Sequence, residues 1–373
     1  MSTDTKQDTS RNSATASRVP DGIRALALLV VITAHCLAWT RIDGHSMVNI
    51  IQHQPHLWWI TWMVQIMPLF FVFAGTGLSK LASDKSGKRF VMRGFMLLSP
   101  ASLIYLVSGL VGLCLIPIKK SIVASTVGLL LVQLTWFLAV YVVIIAITPL
   151  LNRFTSLVGI FAWCGLIAGI DALRIHVNQN LGWLNMIMVW SLFALIGMRL
   201  KDLQRMPKPV ALFGFIISWS CAWLAIHYGP YSKALVSIPG IPGISNLGPP
   251  SFVLACAGIG QIFLVLAGWN VLEKVFAQRY VWNVIGSFGM RSMQMYLHQM
   301  VFIMISVAPF LLISSYPQDL SLLWWLEHFA VLAVTLTLSW FSAPYLRQGA
   351  DKVSRKLLVR LVPGAIAKLV DGI

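Results

Sequence analysis

Acidic residues are scarce: the chain has 12 Asp and Glu among 373 residues, against 28 Lys and Arg, and charged residues make up only 11%. A water-soluble domain carries roughly 25% charged residues. A chain this poor in charge cannot wet its surface, so a soluble globular domain is excluded. The five cysteines, Cys36, Cys114, Cys164, Cys221 and Cys256, lie far apart in apolar runs with no C-x-x-C pair. That spacing gives no basis for a disulfide framework or a zinc site, and it reads as small buried hydrophobes. A P-loop, a G-x-G-x-x-G helix start and a G-x-S-x-G elbow are also missing, which removes the usual sequence grounds for a nucleotide fold or an α/β-hydrolase. No stretch is polar enough to form a second, soluble domain, and no internal repeat is evident.

What is present is apolar. Hydrophobic residues make up 58%, and the mean hydropathy is +0.78. A membrane span needs about 20 apolar residues. Runs of that kind fall at roughly 23–40, 58–79, 94–117, 122–149, 155–173, 183–200, 209–227, 251–271, 288–314 and 322–344. The Thr148-Pro149 step marks the end of the fourth. The expected fold is an all-α integral membrane protein, a bundle of about ten transmembrane helices with N and C termini cytoplasmic. Of the 28 Lys and Arg, only Arg41, Lys119, Lys120, Arg174 and Lys233 fall in loops on the opposite side. This asymmetry orients the chain by the positive-inside rule. It also assigns the net charge of +16 to orientation and anionic headgroups rather than to nucleic acid. Residues 1–20 read as a disordered cytoplasmic tail, 21–346 as the transmembrane domain and 347–373 as a basic amphipathic tail on the inner face. The implied location is the cell (inner or plasma) membrane, with several passes.

Ionisable groups inside spans are costly and mark candidate sites. Arg24 and His35 stand eleven residues apart in the first span, which returns to within about 20° of one helix face and separates them by about 16 Å along the axis. Asp21 precedes Arg24 by three residues, placed to cap the helix or pair with the Arg. The ninth span repeats this geometry with Arg291, Gln294 and His298, its His about 10 Å beyond its Arg. Two helices thereby present two imidazoles to one buried polar cavity. A lone membrane His more often bonds a neighbouring helix; two matched Arg-to-His faces favour a site. The inner loop Lys85-Ser-Gly-Lys88-Arg89-Phe-Val-Met-Arg93 reads either as positive-inside charge or as a grip for phosphates of a cytoplasmic ligand. Glu327-His328 lies near the outer start of the last span, either a site group or a snorkelling pair. His45, His53 and His56 sit in the first outer loop; the H-x-x-H pair His53 and His56 has no carboxylate close by, so no metal is expected. Trp58, Trp59 and Trp62 suit an interfacial belt. The Pro- and Gly-rich stretch 228–250 is expected to be irregular.

Several strings together resemble the acyltransferase-3 family of membrane O-acyltransferases. They begin with Asp21-Gly22-Ile-Arg24 and the apolar run ending in His35, and continue with Pro68-Leu-Phe70-Phe71-Val-Phe-Ala74-Gly75, where the family usually has Ser before the Gly. Thr135-Trp136-Phe137-Leu138 with Tyr141, Asn246-Leu-Gly-Pro249-Pro250-Ser and the segment from Gly286 to Tyr296-Leu-His298 complete the set in order. The resemblance implies transfer of an acyl group, commonly acetyl, from cytoplasmic acyl-CoA to a hydroxyl of a carbohydrate or lipid-linked acceptor. It makes His35 and Arg24 the expected essential pair, with Asp21 and His298 beside them. Arg24, Lys88, Arg89 and Arg93 are placed toward the donor, acetyl-CoA or another acyl-CoA. Trp136, Gln294, Tyr296 and Glu327 are placed toward the acceptor.

The residues suit that chemistry. A sugar hydroxyl is a weak nucleophile near neutral pH, and a neutral imidazole can take its proton during attack on a thioester. His35 is equally placed to carry the acyl group covalently. Two rival readings use the same residues. One is a transporter of acyl groups or glycolipid, since midplane polar groups also suit transport. The other is an assembly scaffold of envelope biosynthesis.

Overall fold

The computed structural model describes residues 17–42, 46–82, 104–105, 110, 133–311 and 317–361. Ten helices carry the architecture: α1 (Val19–Leu37), α2 (Met67–Gly75), α3 (Trp136–Ala146), α4 (Leu157–His176), α5 (Asn185–Met198), α6 (Lys208–Tyr228), α7 (Phe252–Ala267), α8 (Trp269–Ala277), α9 (Arg279–Leu311) and α10 (Leu322–Leu361). Among the described residues, seven helices are long and apolar enough to cross a membrane, or up to nine if each of two bent pairs is one span. Nearly all of the expected third span and residues 122–132 of the fourth lie outside the described residues.

The helices start where their sequences direct. Pro20 sits in the first turn of α1, with Asp21 beside it; the missing Pro N–H is one that no helix satisfies at that position. Ser156 caps α4 by accepting from Gly159 N at 3.0 Å, and Ser251 caps α7 by accepting from Leu254 N at 3.2 Å. Where a helix breaks, another element takes up the freed backbone. The second span is a 3-10 turn (Pro55–Trp59), a short helix (Ile60–Val64) and then α2, interrupted ahead of Pro68. The Gln65 carbonyl at that break accepts from Gln261 Nε2 of α7 at 2.7 Å. The chain does not end its fourth span at Thr148-Pro149; it bends by 61° there and continues to Phe154. Gly268 makes a matching 62° bend between α7 and α8.

α5 is the central helix. It buries ten of its 14 residues, whereas α6 buries three of 21 and turns the rest outward. Phe213, Ile216 and Trp223 stand exposed on α6, and Val158 and Phe161 on α4. Those faces are the ones lipid covers in a chain with so little charge. α2 crosses α5 at backbone contact. A Cβ on Gly75 would collide with the Ala194 carbonyl, and one on Gly197 with the Val72 carbonyl. Small residues at such crossings let two membrane helices approach closely. Phe71, buried at the same crossing, stacks on Trp190 with centroids 4.8 Å apart. α1 packs against α2, α9 and α10.

Three features depart from the expected outline. A short antiparallel pair, β1 (Trp39–Ile42) and β2 (Ser46–Asn49), follows α1; four-residue strands are too brief to show in a pattern dominated by helical runs. α9 begins at Arg279 rather than near 288, because a hydropathy window finds only the lipid-compatible part of a helix. Its 33 residues span about 50 Å, more than the roughly 30 Å hydrocarbon core. α10 runs on through Pro344 to Leu361 without a break, so the backbone over 351–361 continues the last helix.

Residues 229–251 are irregular, as their composition predicts, yet tightly held. Asn246, fully buried, donates to the carbonyls of Ser232 and Ala234 at 2.7 and 2.8 Å. Buried Asp171 on α4 accepts from Tyr231 OH at 3.0 Å and from Phe252 N at 2.6 Å. Arg174, one turn on, donates to the carbonyls of Pro249 and Ser245 at 3.3 Å.

Candidate active site

α1 lies along α9, and at their contact His35 Nδ1 is 3.1 Å from Gln299 Oε1. His35 is half-buried, while Gln299 is fully buried. His298, the neighbour of Gln299, is 2% exposed. Its Nδ1 turns back to the Gln294 carbonyl of its own helix at 3.0 Å, and its Nε2 is buried without a partner among the described residues. Gln294, one turn earlier and also buried, leaves its Oε1 unpartnered in the same way. A buried polar atom without a partner costs about 1–3 kcal/mol. The two atoms lie one turn apart on one face of α9.

At this contact His35 bonds the residue after His298. Gln299 follows one position after the string that sequence reasoning singled out, and only the helix packing reveals it. The tautomers follow from the partners. A carbonyl only accepts, so His298 Nδ1 carries the hydrogen and its Nε2 holds the bare lone pair.

Toward the start of α1, Asp21 and Arg24 pair with each other at 3.0 Å and remain largely open, with side chains 60% and 40% exposed. Arg24 Nε is buried and unpartnered. The same is true of Arg291 Nε; the Arg291 guanidinium lies 4.1 Å over the Trp340 ring and donates to the Ser287 carbonyl. Gly22 is held close to α8, where a Cβ would come within 2.6 Å of the Phe276 ring. Its lack of a side chain lets the Asp21–Arg24 turn seat on that neighbour.

The other candidates divide. Tyr296 faces away from His298 into an aromatic cluster, with centroids 6.3 Å from Phe70 and 5.6 Å from Phe137. Trp136, half-buried, adjoins this cluster through Phe137 and Trp190. Glu327 is in neither group. It forms a buried ion pair with Arg41 at 3.0 Å beside β1. His328 there lies between the rings of Trp39 and Trp324, with centroids 4.2 and 3.8 Å away. Lys88, Arg89 and Arg93 lie outside the described residues. Among the described residues no three His, Cys, Asp or Glu side chains gather to hold a metal.

A family model described as an acyltransferase domain matches residues 19–343. The chain belongs to the acyltransferase-3 family. No curated protein and no solved structure matches it. Membership makes the protein a multi-pass membrane acyltransferase, and the match runs from α1 to within α10, so both helices of the His35–Gln299 contact fall inside the acyltransferase-3 domain.

Proposed function

We propose that this acyltransferase moves an acyl group, acetyl in the simplest case, from cytoplasmic acyl-CoA to a hydroxyl of a cell-envelope carbohydrate or glycolipid. The observation that carries the reading is His35: an imidazole in the last turn of α1, tethered at Nδ1 to Gln299, the residue after His298, whose own Nε2 is buried without a partner among the described residues. The orientation given by Lys and Arg puts Arg24 at the cytoplasmic mouth, in the cell (plasma or inner) membrane. There Arg24, with Lys88, Arg89 and Arg93, grips the CoA phosphates, and the pantetheine arm reaches up to His35 across about 16 Å.

In the reaction His35 Nε2 takes the proton of the acceptor hydroxyl as its oxygen bonds the thioester carbonyl carbon. The carbon–sulfur bond then breaks, and the proton passes to the leaving CoA thiolate. Such a base supplies about 10²–10⁴ in rate. His298, whose Nδ1 carries the hydrogen, offers its Nε2 lone pair to a neighbouring, non-reacting hydroxyl of the acceptor. Gln294 Oε1 accepts from a second one. Asp21 holds Arg24 in place, and Trp136 and Tyr296, in the aromatic cluster on the other side of α9, support the site through packing. Glu327, locked to Arg41, supports the site through the fold.

The test compares purified wild type with His35→Ala for consumption of acetyl-CoA in the presence of an envelope glycolipid and polysaccharide extract. Release of CoA thiol by wild type alone is expected, and the mass of the product names the acceptor. Equal release by both removes His35 from the chemistry. Binding of acetyl-CoA without release by either turns the reading toward a transporter.

A further inference from the structure

Gln299 has no place in the motif strings, yet its two bonds set the chemistry of His35. We propose that Gln299 is the positioning residue of this site, holding His35 as the Nδ1–H tautomer so that Nε2 is the bare base. The proposal rests on the reading of His35 as the reacting group.

The chain of constraints runs from the backbone outward. The Gln299 amide is fully buried. Its Nε2 donates to the Tyr296 carbonyl at 2.9 Å. A carbonyl has no hydrogen to give, so the amide is fixed with its nitrogen toward Tyr296 and its oxygen toward α1. That oxygen meets His35 Nδ1 at 3.1 Å, and it too can only accept. The hydrogen therefore sits on Nδ1. A neutral imidazole has only one, which leaves a lone pair on Nε2. Rotating the amide would face two acceptors at Tyr296, so the backbone of α9 enforces the tautomer on a residue of α1.

The chemistry favours an amide here over a carboxylate. A carboxylate at Nδ1 stabilises the imidazolium strongly and slows the return of its proton. A neutral acceptor orients the ring equally well and lets the proton pass on to the leaving thiolate. A bond that merely fastens α1 to α9 would affect stability alone. The positioning role predicts a change in the ring itself.

The experiment uses full-length protein in detergent micelles, labelled with ¹⁵N-histidine, with His35→Ala identifying the His35 resonances by their loss. Wild type is expected to show the Nδ1–H tautomer at His35. Gln299→Met, similar in volume but without the acceptor, is expected to show a mixture of tautomers and a kcat lower by at least about 10-fold with the acyl-CoA KM unchanged. Gln299→Glu, which keeps an acceptor oxygen, is expected to restore Nδ1–H. The wild-type spectrum needs no variant to fold and no substrate. An Nε2–H tautomer in wild type, or an unchanged ring in Gln299→Met, overturns the role of Gln299 while leaving the proposed reaction intact. Acyl transfer by His35→Ala overturns the functional reading and this role together, with the tautomer assignment still standing.

Discussion

One nitrogen of Arg41 reaches both carboxylate oxygens of Glu327, at 3.2 and 3.0 Å, with both side chains under 10% exposed. A second Arg41 nitrogen donates to the Phe310 carbonyl at 2.8 Å, so one guanidinium ties β1 to the ends of α9 and α10. Removing one member of a buried pair strands the other, at about 3–5 kcal/mol. Glu327→Ala is expected to lower the unfolding midpoint sharply while kcat per folded molecule holds. The double change Arg41→Met with Glu327→Leu is expected to recover most of that stability. A raised acceptor KM with unchanged stability in Glu327→Ala would instead make it a substrate residue.

Gln294 and His298 carry the opposite signature, buried polar atoms that nothing among the described residues satisfies. Gln294→Leu is expected to stabilise the fold by about 1 kcal/mol or more, since it removes an uncompensated group, and to weaken acceptor use. Thermal unfolding and steady-state kinetics on the same preparation test the pair of effects. A variant less stable and fully active would show that the amide oxygen serves packing.

Asp319 gives a pH-dependent anchor beside the hairpin. Burial pushes its carboxyl up, but bonds from Thr40 at 2.5 Å, Gln54 at 3.2 Å and His53 at 2.5 Å outweigh this and hold it below its ordinary 3.8. A carboxyl depressed by folding contributes stability above its unfolded value and loses it as the pH falls through the folded one. The unfolding midpoint is therefore expected to drop below about pH 4, and Asp319→Asn to flatten that acid limb. Melts recorded between about pH 6 and 3 test it.

The phosphate grip proposed for Arg24, Arg89 and Arg93 predicts a salt-sensitive donor site. Arg89→Ala and Arg93→Ala are each expected to raise the acyl-CoA KM by about tenfold, for a loss of about 1.4 kcal/mol per lost contact. Dephospho-CoA thioesters should be affected less. Equal KM values for mutant and wild type would return those residues to a purely orienting role.

The bundle was legible because its signal is long and local. Apolar runs locate α1, α4, α5 and α6 and the start of α10 to within a few residues, and Ser251 and Pro20 mark helix starts by their chemistry. The breaks were less legible. The kink ahead of Pro68 and the bend at Gly268 depend on what lies across the bundle to absorb freed carbonyls, and Gln261, 196 positions away, does so at Gln65. The site was half legible: Arg24, His35, Gln294 and His298 announce themselves as polar residues in apolar runs at helical spacing. Gln299 lies about 100° around the helix from His298 and about 140° from Gln294, off the face those two share; only the position of α1 gives it meaning. Asp171 and Arg174 share a turn of α4, a spacing that reads as an ordinary local pair, while their partners in residues 231–252 come from folding alone.

His35 and Gln299 are 264 residues apart in the chain. The ribosome adds about 5–20 residues each second, so roughly 10 to 50 seconds pass between the synthesis of one and the other. During that interval α1 stands in the membrane without the helix that fixes its imidazole, and a nascent chain that stops early has no working base. On the proposed reaction, activity waits for the insertion of α9, which lies in the last third of the chain.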